Sequence, residues 1–196
     1  MSWARIAAAA LAGLFFGVGT VRAEPRVFRI DGEGARLTFS CDVLGMVPME
    51  GAFTRFVALI TLDPDAPALT RAVVTVDAAS MVLSDPEWTE DLKGPGFFDV
   101  AHFPQFGFHS DSAKVVEPGL LSVSGTLVLR GIARPVVLHV RYDPGAGAAP
   151  VTMQAAAQVD RSEFGMDAFR PVVSDDVDIE VQGRLQPAFP PFRTWR

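Results

Sequence analysis

Few residues of this 196-residue chain have the capacity for acid–base, nucleophilic or metal chemistry. His102, His109 and His139 are its three histidines, and a histidine held beside a substrate serves as general acid or base. None belongs to a His-x-x-x-His pair, and the chain has neither a Gly-x-Ser-x-Gly elbow nor a Gly-rich phosphate loop. His102 falls in a loop ahead of Pro104, whereas His109 and His139 read as outward strand positions, where a solvated imidazole is the ordinary outcome. Asp175, Asp176 and Asp178 form an acidic run without the Asp-x-Asp-x-Asp-Gly spacing of a calcium loop, so a solvated turn and strand face is expected and no metal site. Cys41 is the single cysteine, which excludes an internal disulfide and a four-cysteine metal site. A buried apolar role is expected for it. An intermolecular bridge, and with it a homodimer, is the alternative. No catalytic residue is assigned and no cofactor is expected.

The N-terminus reads as an address. Met1 to Arg5 carries one positive charge, Ile6 to Val18 is an uncharged run of small and apolar residues, and Val21 and Ala23 fit a signal-peptidase site. A signal peptide over residues 1–23 is predicted, with export to the periplasm. The uncharged stretch Ile6 to Val21 falls short of the roughly 20 residues that span a bilayer, so no stable membrane anchor is expected. Cleavage removes Arg5 and Arg22 and takes the formal charge from −6 to −8. Such a surface repels phosphate backbones, which argues against nucleic acid as a partner. The remaining arginines and two lysines are scattered singly and form no polybasic membrane patch.

The elements that must position any site read as strands. Apolar residues alternate with polar ones at Leu37-Phe39-Cys41-Val43, Ala72-Val74-Val76-Ala78, Leu121-Val123-Gly125-Leu127-Leu129, Val136-Leu138-Val140, Val151-Met153-Ala155-Ala157-Val159 and Val177-Ile179-Val181. One dry and one wet face per strand is the signature of an antiparallel sheet. A further strand is predicted over about 51–62, its irregular phase suggesting a bulge near Gly51. Asp63-Pro64-Asp65, Glu117-Pro118-Gly119 and Asp143-Pro144-Gly145 supply turns. Only Ser84 to Lys93 reads as a helix, with Ser84 and Glu87 as a capping box and Gly94 to end it. The expected fold is all-β: one antiparallel barrel of about eight strands with one short helix, spanning residues 24–186. Pro187 to Arg196 is a Pro-rich aromatic tail.

An eight-stranded barrel is either filled by its own side chains or holds one small ligand. The chain has 15 Phe against a single Tyr, so its aromatic surface is almost wholly apolar. Ala72, Ala78, Gly125, Ala155, Ala157 and Gly183 are small residues at inward positions. Together these imply a dry pocket complementary to an aliphatic chain, with a barrel plugged by its helix and Phe side chains as the alternative.

Several segments resemble the YceI-like family of exported lipid- and polyisoprenoid-binding proteins. They are Val27-Phe28-Arg29-Ile30-Asp31, Leu37-Thr38-Phe39-Ser40 running to Leu44-Gly45, Gly51-Ala52-Phe53-Thr54-Arg55-Phe56, Phe97-Phe98-Asp99-Val100 with Phe103-Pro104, Leu129-Arg130-Gly131 with Pro135-Val136, and Arg161-Ser162-Glu163-Phe164-Gly165. The resemblance covers about Val27 to Leu185. It implies a lipocalin-like barrel holding a long isoprenoid or similar amphiphile, with no established enzymatic activity for most members, and the chain is expected not to be an enzyme. Many members carry His-Ser where this chain has Glu33-Gly34, and Lys-His where it has Asp42-Val43. The loss of those cations points to a neutral head, such as a quinone or free isoprenoid, over a pyrophosphate.

Three functional readings follow. The first is a periplasmic carrier for an isoprenoid chain (polyprenol, quinone or similar amphiphilic lipid). Its expected ligand-binding residues are Leu37, Phe39, Cys41, Phe53, Phe56, Phe97, Phe98, Phe106, Phe108, Leu127 and Phe164. Arg161 is placed at the mouth or in a structural ion pair. The second is a non-catalytic envelope stress-response partner protein with a plugged barrel and a contact through Phe189, Phe192 and Trp195. The third is an enzyme using His102 or His109.

Overall fold

The computed structural model describes residues 26–62, 66–143 and 152–188. The signal peptide expected over residues 1–23, two of the three expected turns in large part, and Phe189, Phe192 and Trp195 lie outside the described residues. The strands are β1 (Arg26–Asp31), β2 (Ala35–Val43), β3 (Val47–Phe53), β4 (Phe56–Leu62), β5 (Arg71–Asp77) and β6 (Met81–Leu83). After helix α1 (Pro86–Lys93) come β7 (Gln105–Glu117), β8 (Leu120–Leu129), β9 (Ile132–Asp143), β10 (Thr152–Asp160), β11 (Asp176–Arg184) and β12 (Gln186–Pro187). They form one sheet in the order β12-β1-β4-β5-β7-β8-β9-β10-β11-β2-β3-β6, and every pairing is antiparallel.

The all-β expectation holds, but the sheet has twelve segments rather than about eight, and the difference is corners. Four runs of chain are each cut in two: β1 from β2 at Gly32–Gly34, β3 from β4 at Thr54–Arg55, β5 from β6 at the 3-10 turn Ala78–Ser80, and β11 from β12 at Leu185. The halves keep different neighbours. β1 pairs with β4 and β12 while β2 pairs with β3 and β11; β5 pairs with β4 while β6 pairs with β3. Both ends of the sheet are thus built from the same four runs, and the sheet curls into a barrel-like form with its apolar faces inside.

The single strand expected over 51–62 is the second of these cut runs. Its irregular phase marks a full corner, not a bulge. Ser80, 3% exposed, takes over the ladder there: its carbonyl accepts from the Thr54 N–H (3.2 Å) and hydroxyl (3.0 Å), and its hydroxyl accepts from the Arg55 N–H (3.0 Å). Gly32 packs on this corner, where a Cβ would lie 2.1 Å from the Thr54 carbonyl oxygen, so only glycine admits the backbone-on-backbone approach.

The helix begins at Pro86 rather than Ser84, and its cap lies one residue later than expected. Its cap is Asp85, whose carboxylate accepts from the Glu87 N–H at 2.8 Å, and Pro86 occupies the first helical position, where a missing N–H costs nothing. Ser84 makes no capping box. Leu92 and Thr89 are the helix residues that are buried, and Phe97 and Phe98 follow immediately, so the helix and its exit loop cover one end of the curled sheet. Pro118-Gly119 closes the β7–β8 hairpin, with Gly119 at φ +82° as a tight turn with Pro at its second position requires.

On β3, Gly51 faces Phe39 across the strand pair, and a Cβ there would lie 2.3 Å from the Phe39 ring. That ring is itself wedged between Phe53 and Phe98, at 5.4 and 6.3 Å. Gly51→Ala is expected to lower stability by about 1–3 kcal/mol through overpacking, seen as a lower urea midpoint at an unchanged slope.

Candidate ligand-binding site

Two apolar cavities lie inside the curl. The first, about 70 Å³, sits under the helix. β2 turns Leu37, Phe39 and Cys41 toward it; β3 adds Phe53, the helix exit loop Phe97 and Phe98, β7 Phe106, and β8 Leu127. Phe39, Phe53, Phe98 and Phe106 form a cluster with ring centroids 5.0–6.3 Å apart, tilted or edge-to-face, as aromatic quadrupoles prefer. Met49 and Met166 complete the wall with adaptable side chains.

Arg161 is the charged group on this wall, and its side chain is 4% exposed. Local geometry drives it inward. Asp160 caps the 3-10 turn Arg161–Phe164, accepting from the Ser162 N–H at 2.8 Å and its hydroxyl at 2.6 Å. Those bonds hold the Asp160 carboxyl below the usual carboxylate range. Gly165 at φ +70° then reverses the chain. Inside, the guanidinium donates to four carbonyls: Ser174 (2.8 Å), Met166 (2.6 Å), Ala168 (3.0 Å) and Val173 (2.9 Å). It lies 3.3 Å from the Asp175 carboxylate, which Arg170 also pairs, and 5.5 Å over the Phe97 ring. Four of its five N–H donors are engaged in this way, which ties the 165–175 loop to the barrel end, while the nitrogen nearest Asp175 faces a carboxylate oxygen that has no hydrogen-bond partner among the described residues.

Of the other expected ligand-binding residues, Phe56 lines a second cavity, and Phe108 and Phe164 line neither. Phe164 is 1% exposed and packs with Leu129 and Met166 as filled core. The second cavity, about 80 Å³, is walled by Ile30, Phe56, Ala58, Ala72, Val74 and Ala155 among others. It reaches Thr70, whose buried hydroxyl has no hydrogen-bond partner among the described residues. Its signal in the sequence was the small inward residues. Ala72 and Ala155 do border this space, whereas Gly125 and Gly183 are filled by the Phe108 ring and by Ala35.

The chemistry-bearing residues are dispersed. His102 Nδ1 bonds the Asp99 carboxylate at 2.8 Å with its side chain 76% exposed, and His109 and His139 face outward from β7 and β9. Asp178 accepts from the Gln158 amide, and Asp175 is tied to two arginines. Among the described residues no three His, Cys, Asp or Glu side chains gather to hold a metal ion. Burial pushes the Cys41 thiol up; Arg161 acts against this and Asp42 with it, so the neutral thiol is favoured and a nucleophilic thiolate is not.

The YceI-like domain family matches residues 28–185, from β1 to the residue before β12. The chain belongs to this family. Protein YceI of Salmonella arizonae is 28% identical over 182 residues, covering 90% of this chain and 95% of the relative. Among solved structures, Burkholderia cenocepacia BcnA superposes with a TM-score of 0.73 at 26% identity, covering 80% of this chain and 99% of BcnA. A polyisoprenoid binding domain from Saccharophagus degradans shares the fold at TM-score 0.62 and 14% identity, covering 84% of this chain and 99% of that domain.

The end of the curl around Cys41 and Arg161 can be tested in two ways. Arg161→Lys, which cannot reach four carbonyls and a carboxylate at once, is expected to cost about 2–4 kcal/mol in urea unfolding because buried acceptors are left unpaired. Cys41 in the folded protein is expected to react with a thiol reagent far more slowly than in urea at mildly alkaline pH, since a raised pKa leaves less thiolate at any given pH; equal rates would contradict its burial.

Proposed function

We propose that this protein is an exported periplasmic carrier that holds the chain of an isoprenoid (a polyprenol, quinone or similar amphiphilic lipid) inside its curled sheet, without catalysing a reaction on it. The observation that carries this reading is the pair of dry cavities on the inside of one sheet, walled by Phe, Met and aliphatic side chains. The name of the Saccharophagus domain as a polyisoprenoid binder supports the same ligand class.

The interior must rearrange to do this. A cavity on the order of 150 Å³ accommodates one benzene ring, and neither chamber reaches that size. Phe rings and the thioethers of Met49, Met153 and Met166 are the groups that would move apart. Burial of the chain would supply roughly 0.8 kcal/mol per CH₂ before ordering costs.

A neutral head suits the polar groups available. Arg161 has four of its five donors engaged and its charge faced by Asp175, and Glu33 and Asp42, at positions where the family resemblance implies cations, line neither cavity. The unpaired Thr70 hydroxyl matches a single hydroxyl or carbonyl oxygen, while a buried pyrophosphate would be left without counter-charge.

The small volumes also fit the alternative of a plugged barrel that works through a protein partner. Calorimetric titration with solanesol separates the two. A carrier is expected to bind one chain with a negative heat-capacity change, and Ala155→Phe, which fills the second cavity, is expected to abolish uptake while the variant stays folded. A folded wild-type protein that takes up neither polyprenol nor quinone would contradict the carrier reading.

A further inference from the structure

The two cavities share no lining residue, and what separates them is identifiable strand by strand. On β8, Leu127 and Leu129 border the first cavity and Leu121 and Val123 the second, with Gly125 between. On β10, Val159 borders the first and Met153 and Ala155 the second, with Ala157 between. On β7, Phe106 borders the first and the next inward residue is Phe108. Phe108 is 7% exposed yet borders neither cavity.

Its ring lies on Gly125. β7 and β8 pair Phe108 with Leu127, so the ring leans along the neighbouring strand to the space the glycine leaves, where a Cβ would lie 2.5 Å from Cζ and 2.7 Å from Cε2. On these three strands the dividing level holds one large side chain and two of the smallest, Gly125 and Ala157; on β9 the buried Val136, paired with Gly125, also borders neither cavity. Side chains on strands have two commonly populated χ1 wells, and rotation of Phe108 off Gly125 would vacate the largest side chain at this level.

Resting on the carrier reading above, we propose that the Phe108 ring is a movable partition that sets the length of chain the interior accepts. Closed on Gly125, it confines a short chain to the first chamber once the Phe and Met side chains of that chamber have moved apart. Turned aside, it admits a long chain into both, and the long chain bears the cost of turning it. The ring acts through volume and is a specificity-determining residue, not a catalytic one.

The test is the ratio of affinities for a long and a short prenyl alcohol, solanesol and geraniol, measured by calorimetry on the wild-type protein, Phe108→Ala and Phe108→Leu. Loss of ring contacts lowers both affinities, so only the ratio reports the partition. Removing the ring is expected to shift it toward solanesol on the order of tenfold, with Phe108→Leu giving a smaller shift in the same direction should the Ala variant not fold. An unchanged ratio in a folded variant that still binds both alcohols would overturn the partition and leave the carrier reading standing. Absence of binding of either alcohol to the wild-type protein would overturn both.

Discussion

At Gly32 one added methyl group would sit 2.1 Å from the carbonyl oxygen of Thr54. Two corners of the chain meet there backbone to backbone, and the curl of the sheet depends on that approach. Because β1 and β2 part at one corner and β3 and β4 at the other, each half is free to bond a different neighbour. The same four runs of chain then serve both ends of the sheet, which brings the apolar faces together without a second sheet or a layer of helices. An antiparallel sheet of this length, left flat, would expose a whole apolar face; curled, it encloses that face and leaves only the short strands β12 and β6 as edges. The apolar interior follows from that enclosure.

Enclosure also accounts for how the charged residues are arranged. A guanidinium inside an apolar space is tolerated only when its donors are met. Arg161 satisfies this by drawing four carbonyls of the 165–175 loop around itself and facing Asp175. The loop that covers the barrel end is thereby held from inside, and the wall beside the first cavity remains chemically neutral toward a guest. Histidines and the remaining acids stay on the wet faces, where they pair with neighbours such as Asp99 and Gln158.

Much of this was legible in the sequence, for a physical reason. Period-two alternation reports which side of a strand is dry, and the inward sets on β2, β5, β8, β9, β10 and β11 are buried or half-buried in the order read. The corners were not legible, because alternation says nothing about where a strand changes partner. The Thr54–Arg55 corner appeared only as a slip of phase, and its cause, Ser80, lies 26 residues away from Thr54. The cap was misplaced by one residue because Ser84 and Asp85 are both good caps and only the placement of the carboxylate chooses between them. The aromatic residues that border the first cavity were readable as inward positions, whereas Met49, Leu92 and Met166 on the same wall were not singled out. The second cavity and the Phe108 partition were not, since a small residue marks either free space, as at Ala155, or a neighbour's seat, as at Gly125. Only three-dimensional packing distinguishes these.

The proposed role of this interior is to hold a prenyl chain. The most direct measurement is gentle purification of the protein from its native envelope, followed by organic extraction and mass spectrometry of what it releases. The account predicts one isoprenoid species with a neutral head, recovered in near-equal proportion to the chain. Recovery of a prenyl pyrophosphate would contradict the assignment of the head. A protein that releases no lipid, and whose cavities stay closed to added polyprenols and quinones, would contradict the account as a whole.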